Sequence, residues 1–480
     1  MFRHLRRLVS YILCWQRSDV MRRSNKHQAQ KVNLFPLNGG INVTQAPEQI
    51  AENEMQECQN FIYDRDSARL VGRGGLEKIA KFDYEVNGMH YDIDTNTIFA
   101  FLSNRDCWQL VISSGAPQMH NLDKLSGTKP PRCERFKDKM FFASGDHLQY
   151  FDFSSNSTLQ MVTTSPLCDR LFYRFGRLAV TMAGGDRITY SSTGDATSEL
   201  AWKENTNDDS SCKWLDIGSD DAGDIMEVVP LATDMIIFKS NGKAYQFVGD
   251  ADFNSWAVYN VANFTDLTAD FSAGICATNI GNEVVFLSLR GLKTLSTTQD
   301  YGNVAATDIG AKFNKLITDK MYEPEMINMR RHRMILIRPT ADRSFFVAYN
   351  YGLNAATTLK FAFPITAIVE TKDDVFVASG NSIYRWTITA TQDDTTDIEY
   401  VVKPRAIISS DKILVKAIDT KFSSDHAGNA ALTIGRLKVD MPTNARRKVL
   451  CNHSTDYVDI DVKSSSRFEL DHIVLDIANL

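Results

Sequence analysis

Five groups of residues in this chain have types and spacings that could do chemistry. The acidic run Asp216-Ile-Gly-Ser-Asp-Asp-Ala-Gly-Asp224 offers carboxylate oxygens to a hard cation such as calcium. A calcium loop of the EF-hand kind needs oxygen ligands at alternating positions and a glycine at the sixth. Here the glycines fall third and eighth, so a surface loop is the expectation. Cys451 and His453 supply two ligands where a zinc ion takes at least three from protein. Asp373 and Asp374 are paired carboxylates, but glycosidic cleavage needs two carboxyl groups that converge on the scissile bond, which adjacent positions do not establish. Arg330, Arg331 and Arg333 around His332, and Arg446, Arg447 and Lys448 before Val449, are clusters able to hold phosphate. Lining a lumen, either would act as a DNA brake that weakens with salt; the alternative is solvated strand ends paired with acidic neighbours.

No HExxH, GxSxG, P-loop or Ser-x-Asp-x-Gly-x-Thr-Trp box occurs, and Gly72-Arg-Gly74-Gly75 has Glu77 where a dinucleotide fingerprint needs its last glycine. The expectation is a protein without catalytic centre, cofactor or metal.

Positioning of these groups falls to a phrase that returns along the chain. Asp138-Lys-Met-Phe-Phe-Ala-Ser-Gly-Asp-His-Leu-Gln-Tyr150 matches Asp373-Asp-Val-Phe-Val-Ala-Ser-Gly-Asn-Ser-Ile-Tyr-Arg385 position for position, with looser copies at 234–246 and 282–294. Each reads as a hairpin: an apolar strand, a Ser-Gly or Asn-Gly type turn, and a second strand ending on a large side chain. Further hairpins are expected from Asn96 to Ser113, from Gly176 to Ser191 and from Met334 to Tyr349. The spacings approximate multiples of about 45–48 residues, a period of propeller blades. The fold class is therefore mainly β, a β-propeller of six or seven blades. A β-meander sandwich is the alternative.

Composition agrees: 43% hydrophobic and 23% charged residues suit a globular protein able to bury a large core. The net charge of −6 argues against a surface built wholly to bind nucleic acid. Eight cysteines without a CxxC pair indicate reduced thiols and folding in a cytoplasm. Residues 1–32 are expected to form a basic tail without fixed structure. The apolar run from Leu8 to Trp15 is shaped like a weak signal peptide but is too short for a membrane span, and Met21 is an alternative start. No integral membrane segment is expected.

Residues 33–80 read as an entry module. Gly39 and Gly40 mark a turn, Pro47 punctuates a loop, and Asn53 is placed to cap a short helix from Glu54 to Phe61, with Met55, Cys58 and Phe61 on its docking face. Gly39-Gly40-Ile-Asn42, Pro47, Glu54, Asn60-Phe61 and Arg73-Gly74-Gly75 together resemble the amino-terminal signature of bacteriophage tail and head-to-tail proteins. Trp214–Ile225 followed by Asp234-Met-Ile-Ile-Phe-Lys239 and Tyr245 is similar to a blade of the same family. The chain departs from that pattern at Asp64–Arg69, where a glycine-bearing turn is usual, and at Ser219-Asp220.

The resemblance implies a tail hub or nozzle of a short-tailed phage. Such a protein is a homo-oligomer, a hexamer ring beneath the portal and its adaptor, that contacts non-specific double-stranded DNA in its lumen and docks tail fibres or spikes. Localisation would be the virion tail, with assembly in the host cytoplasm. The nine signature residues would then serve docking. The propeller is expected over 81–396 and a C-terminal β-sandwich-like platform over 397–480, the polar turn Asp393–Asp397 marking the boundary. A monomeric propeller that binds or cleaves glycans is the competing reading. Exposed aromatics and carboxylates at the propeller's central mouth would distinguish it.

Overall fold

The computed structural model describes residues 30–112, 117–155, 158–182, 184–231, 233–264, 276–297, 304–319, 321–339 and 342–479. The expected basic tail lies outside the described residues, apart from its last three positions. The chain divides into two compact units. One holds the described residues up to Arg73, Leu353–Thr358 and the chain from Asp397; the other holds Gly74–Gly352 and Leu359–Thr396.

The larger unit is a β-propeller of seven blades, each an antiparallel meander. Blade 1 is Val86–Asp92, Thr97–Leu102, Asp106–Val111 and Gln118–Lys124; blade 2 is Arg132–Phe136, Lys139–Ala143, Gln149–Asp152 and Gln160–Met161. Blade 3 is Arg170–Arg174, Arg177–Thr181, Arg187–Tyr190 and Lys213–Asp216; blade 4 is Ile225–Leu231, Asp234–Lys239, Lys243–Val248 and Ala257–Asn263. Blade 5 is Ala277–Ile280, Glu283–Ser288, Gly291–Thr297 and Val304–Asp308. Blade 6 contributes Glu325–Met329, Met334–Arg338 and Phe345–Asn350 to this unit. Blade 7 joins Ala367–Glu370, Val375–Ser379 and Ser382–Thr387 to the early strand Gly75–Lys81, which pairs antiparallel with Ser382–Thr387.

The repeated phrase supplies the second and third strands of blades 2, 4, 5 and 7, and the other expected hairpins do the same for blades 1, 3 and 6. The second strands show why the phrase reads as an unbroken apolar run. Thr97–Leu102, Arg177–Thr181 and Met334–Arg338 are buried along their whole length. A strand packed by a neighbouring blade on either face has no solvent side, so the alternation of a half-buried strand disappears. The seams are apolar: Phe99, Phe101, Met140 and Phe142 join blades 1 and 2, and Ile188, Tyr190, Ile237 and Phe247 join blades 3 and 4. Ring closure is made by Phe82, Val86 and Ile98 against Phe376 and Ile383. Each such buried side chain contributes about 1.5–3 kcal/mol.

The smaller unit contains two sheets. One runs in the order Phe61–Tyr63, Leu70–Gly72, Glu469–Asn479, Ile407–Ser423 and Arg446–Val458, with Gln30–Asn33 also paired to Glu469–Asn479. The other contains Met55–Gln59, Tyr400–Pro404, Ile460–Ser464, Asn429–Ile434 and Leu437–Pro442 in that order. Phe61 sits between Tyr400 and Phe468, edge-on to both at centroid distances of 5.7 and 5.2 Å.

Three expectations change. The helix from Glu54 to Phe61 is absent: Met55–Gln59 and Phe61–Tyr63 are strands, separated by Asn60 at φ 62°. A bulge between Met55 and Glu57 puts Met55 and Cys58 on the same buried side of a strand, so a three-residue spacing mimics a helical face. The N-terminal module does not stand apart, because Met55–Gln59 pairs with Tyr400–Pro404 and Val71 with Glu469. Gly75–Lys81 belongs to the propeller, which therefore begins before residue 81. Arg446, Arg447 and Lys448 lie at the start of the strand Arg446–Val458. Among the described residues, no helix is long and apolar enough to cross a membrane.

Candidate functional site

Seven inner strands converge on a central cavity of about 930 Å³. Its wall carries Arg132, Arg170, Glu227, Glu325, Asn328 and His90 among other side chains. The acids are neutralised in place: Arg132 Nη2 lies 3.1 Å from Glu227, Asp169 is held by Lys129 and by Arg170 Nη1 at 2.8 Å, and Arg338 Nη2 lies 2.9 Å from Glu325. Asn328 Nδ2 donates to Asn279 O at 2.8 Å. Burial pushes His90 down to about 4, so its imidazole is neutral near pH 7. A cavity of this volume holds a small solute, not a nucleic-acid duplex.

A second cleft, of about 520 Å³, opens where blade 2 meets blade 3 and is lined by Asp94, Glu134, Arg135, Phe136, Lys137, Tyr173, Gly176, Thr193 and Gly194. Tyr173 is 52% exposed and rests on Phe136 at 5.8 Å between centroids. Arg135 is fixed by Asp92, by Asp94 at 3.2 Å, and by the Phe153 ring 4.6 Å away. The Lys137 ammonium donates to Gly194 O. Burial raises Glu134 to about 7. Nothing in the sequence reading singled out Glu134 or Tyr173. The available signal was an acid in Arg132-Cys-Glu-Arg-Phe136, the strand just before a copy of the repeated phrase.

Most of the signature residues meet inside the smaller unit. Asn42 Nδ2 donates to Glu54 Oε2 at 2.8 Å, and the same oxygen accepts from Ala51 N at 3.0 Å. Asn60 donates from Nδ2 to Glu399 O at 2.7 Å and accepts at Oδ1 from Arg73 Nε at 2.9 Å. Arg73 is fully buried, and Tyr400 donates its hydroxyl to Arg73 O at 2.8 Å. Gly40, at φ 77°, leaves no space for a Cβ, which would stand 2.5 Å from Ala356 N. Gly39 is equally confined by Glu54, and Pro47 O accepts from Ala406 N at 3.0 Å. Phe61 is buried in the aromatic cluster. Gly74 begins the propeller unit, where a Cβ would lie 2.1 Å from Thr387 O. The signature thus forms a buried knot rather than a surface. At Asp64–Arg69, where the family pattern has glycine, Asp64 Oδ2 accepts from Ser67 N and Oγ at 2.9 and 2.6 Å while Ala68 takes φ 55°.

The two basic clusters belong to different units. Arg330 is exposed at the edge of the central cavity, at the turn between the first two strands of blade 6. Arg331 donates from Nη1 to Thr371 O at 2.9 Å, His332 Nδ1 lies 2.6 Å from Glu370, and Arg333 takes the turn position at φ 51°. Arg446 is bidentate on Asp419 at 3.0 and 2.6 Å, Lys448 reaches Asp476 at 2.6 Å, and Arg447 donates to Asp440 O at 2.8 Å.

The acidic run closes on an internal cation. Lys239, fully buried, donates 2.5 Å hydrogen bonds to Asp221 Oδ1 and to Ile217 O, and Tyr245 donates its hydroxyl to Asp221 Oδ2 at 2.5 Å. Burial works to raise the Asp221 pKa, but these donors and Gly223 N–H outweigh it and hold the carboxyl well below its usual range. Among the described residues no group of three or more His, Cys, Asp or Glu side chains could hold a metal ion. The described cysteines are unpaired. Asp374 lies 3.6 Å from Arg385, its partner across the blade 7 hairpin.

No protein-family model matches this chain, and no curated protein matches it. Among solved structures it is similar to PorZ, a bacterial surface component of the type-IX secretion system of Porphyromonas gingivalis, with TM-score 0.40 and 10% identity over 77% of this chain and 46% of that one. BamB from Moraxella catarrhalis gives TM-score 0.40 and 10% identity over 68% and 93% of the two chains. The WD40 β-propeller domain of Doa1 gives TM-score 0.44 and 9% identity over 65% and 97%. The chain spans less than half the length of PorZ.

Proposed function

We propose that this chain is a virion structural protein, one subunit of a ring-shaped tail hub or nozzle of a short-tailed bacteriophage. In this reading the ring, of six copies, sits below the portal and adaptor, retains packaged DNA, guides its ejection and docks tail fibres or spikes. The carrying observation is the signature from Gly39 to Arg73. Its residues are used on one another, in buried hydrogen bonds and turns without room for a Cβ, as expected of a motif that specifies a scaffold. A conduit also needs walls that do not grip bases. The central cavity of the propeller is solute-sized, so duplex DNA would pass through a lumen enclosed by several copies. Arg446 and Lys448, each already carrying a carboxylate partner, would present little net charge to such a lumen.

The test is the mass and symmetry of the full chain, by light scattering and negative-stain imaging, with and without a portal and adaptor complex. A six-fold ring with a channel of duplex width, alone or on the adaptor, is the expected result. A stable monomer that ignores the adaptor would overturn the proposal.

A further inference from the structure

We infer that the cleft between blades 2 and 3 is a binding site for a neutral saccharide, with Tyr173 as its stacking platform and Glu134 as its hydrogen-bonding acid. The inference concerns a single subunit and stands whether or not the ring forms.

Four observations converge. First, Tyr173 presents about half of its surface while its ring rests on Phe136, which makes it a rigid apolar plate of the kind that receives the C–H face of a pyranose. Second, the half-buried Glu134 lines the cleft and, among the described residues, its carboxyl has no hydrogen bond or ion pair to protein, which leaves its oxygens free for a ligand. Neighbouring basic groups do not serve it: Arg135 is turned to Asp92, Asp94 and Phe153, and Lys137 to Gly194 O. Third, the charges in the cleft are mixed, Asp94 and Glu134 against Arg135 and Lys137, so donors and acceptors are offered without a field that selects an ion. A polyhydroxylated, uncharged ligand with one apolar face meets that combination. An inorganic anion would meet two carboxyls, and an organic cation would meet two fixed positive groups. Fourth, the volume of about 520 Å³ suits one or two sugar rings, and the wall at Gly176 and Gly194 is backbone, linked by a 2.9 Å hydrogen bond from Gly194 N to Gly176 O.

The site explains why an acid is tolerated in the inner strand of blade 2. Facing blade 3 without a partner, Glu134 costs stability that an amide would not, a pattern more common at binding sites than in a purely structural seam.

Saturation-transfer NMR on the full-length protein tests the inference directly. The probes are glucose, galactose, mannose, N-acetylglucosamine, lactose and cellobiose at millimolar concentration, with putrescine and inorganic phosphate as charged probes. The expected result is transfer to at least one neutral sugar, with affinity reduced at least about tenfold in Tyr173→Ala and also reduced in the isosteric Glu134→Gln. Tyr259→Ala, an equally exposed tyrosine on blade 4, should leave binding unchanged. Thermal melts of the variants distinguish lost binding from lost folding, and Glu134→Gln, which keeps the side-chain shape and exchanges one carboxyl oxygen for an amide donor, carries the test if Tyr173→Ala unfolds. Three results would overturn the inference: no transfer to any sugar, binding that survives both cleft variants, or Glu134-dependent binding of putrescine or phosphate in place of sugar.

Discussion

At the scale of single residues, the most consequential group is Lys239, an ammonium with no solvent exposure held by Asp221 and by the carbonyls of Ile217 and Gly218. Taking one partner from a buried pair leaves the other charged, desolvated and short of a counter-ion, which costs about 3–5 kcal/mol. Lys239→Met should fall toward the lower end of that range, because Tyr245, the Gly223 N–H and the half-exposed Lys243 ammonium, 3.4 Å from Asp221 Oδ2, remain on the carboxylate. Denaturant melts at pH 7 would register the loss. The pH dependence has a definite sign. The folded Asp221 carboxyl titrates below its ordinary value of 3.8, so its stabilising contribution is present above that pH and is lost as pH falls through the lower folded value. Lys239→Met should therefore lose less further stability than the parent on acidification. A variant whose acid unfolding is as steep as the parent's would show that the pair is not coupled to folding. In the sequence, this lysine was legible only as part of a blade motif. The acidic run beside it invited a metal because sequence displays the carboxylates of a loop but not the cation that the fold delivers to them.

At the scale of elements, Asn60 links two strands by sitting in the left-handed region, where its side chain replaces backbone hydrogen bonds that a turn cannot make. It donates to Glu399 O and accepts from the buried Arg73, and its own N–H reaches Thr358 O at 2.8 Å. Asn60→Ala should cost about 2–4 kcal/mol, from the positive φ and from a guanidinium deprived of an acceptor. Asn60→Gly should restore the backbone part and leave the polar part. Thermal unfolding of the pair of variants separates the two contributions, and equal losses would mean that backbone conformation plays no part. Hairpins were the most legible elements, since an apolar run, a turn residue at fixed offset and a second run form a local signal. The mistaken helix at 54–61 had a local cause as well, a bulge that places a three-residue spacing on one side of a strand.

At the scale of the whole molecule, seven blades are closed by a strand from far upstream. Gly75–Lys81 pairs with Ser382–Thr387 across about three hundred residues, and at Gly75 a Cβ would lie 2.1 Å from Gln392 O. Gly75→Val should therefore weaken ring closure and lower the melting temperature by several degrees. Hydrogen exchange should report the largest gain in exchange in blade 7 and at its seam with blade 1, where Phe82, Val86 and Phe376 pack. Uniform exchange gains across all blades would argue that closure is not the weak point. The closing strand was assigned to the wrong module from sequence because nothing within 75–81 names its partner.

By itself, then, the sequence determined the β class, the repeated hairpin and its period, and the sharp turns of the N-terminal signature. All of these rest on interactions between neighbours in the chain: side-chain burial along a strand and glycine at turns. Tertiary structure alone decided the blade count, the union of the described residues up to Arg73 with the chain from Asp397 in one unit, the pairing of Lys239 with Asp221, and the meeting of Glu134 with Tyr173. These depend on which distant segments come to lie side by side, a choice made by packing across seams that no single stretch of residues contains.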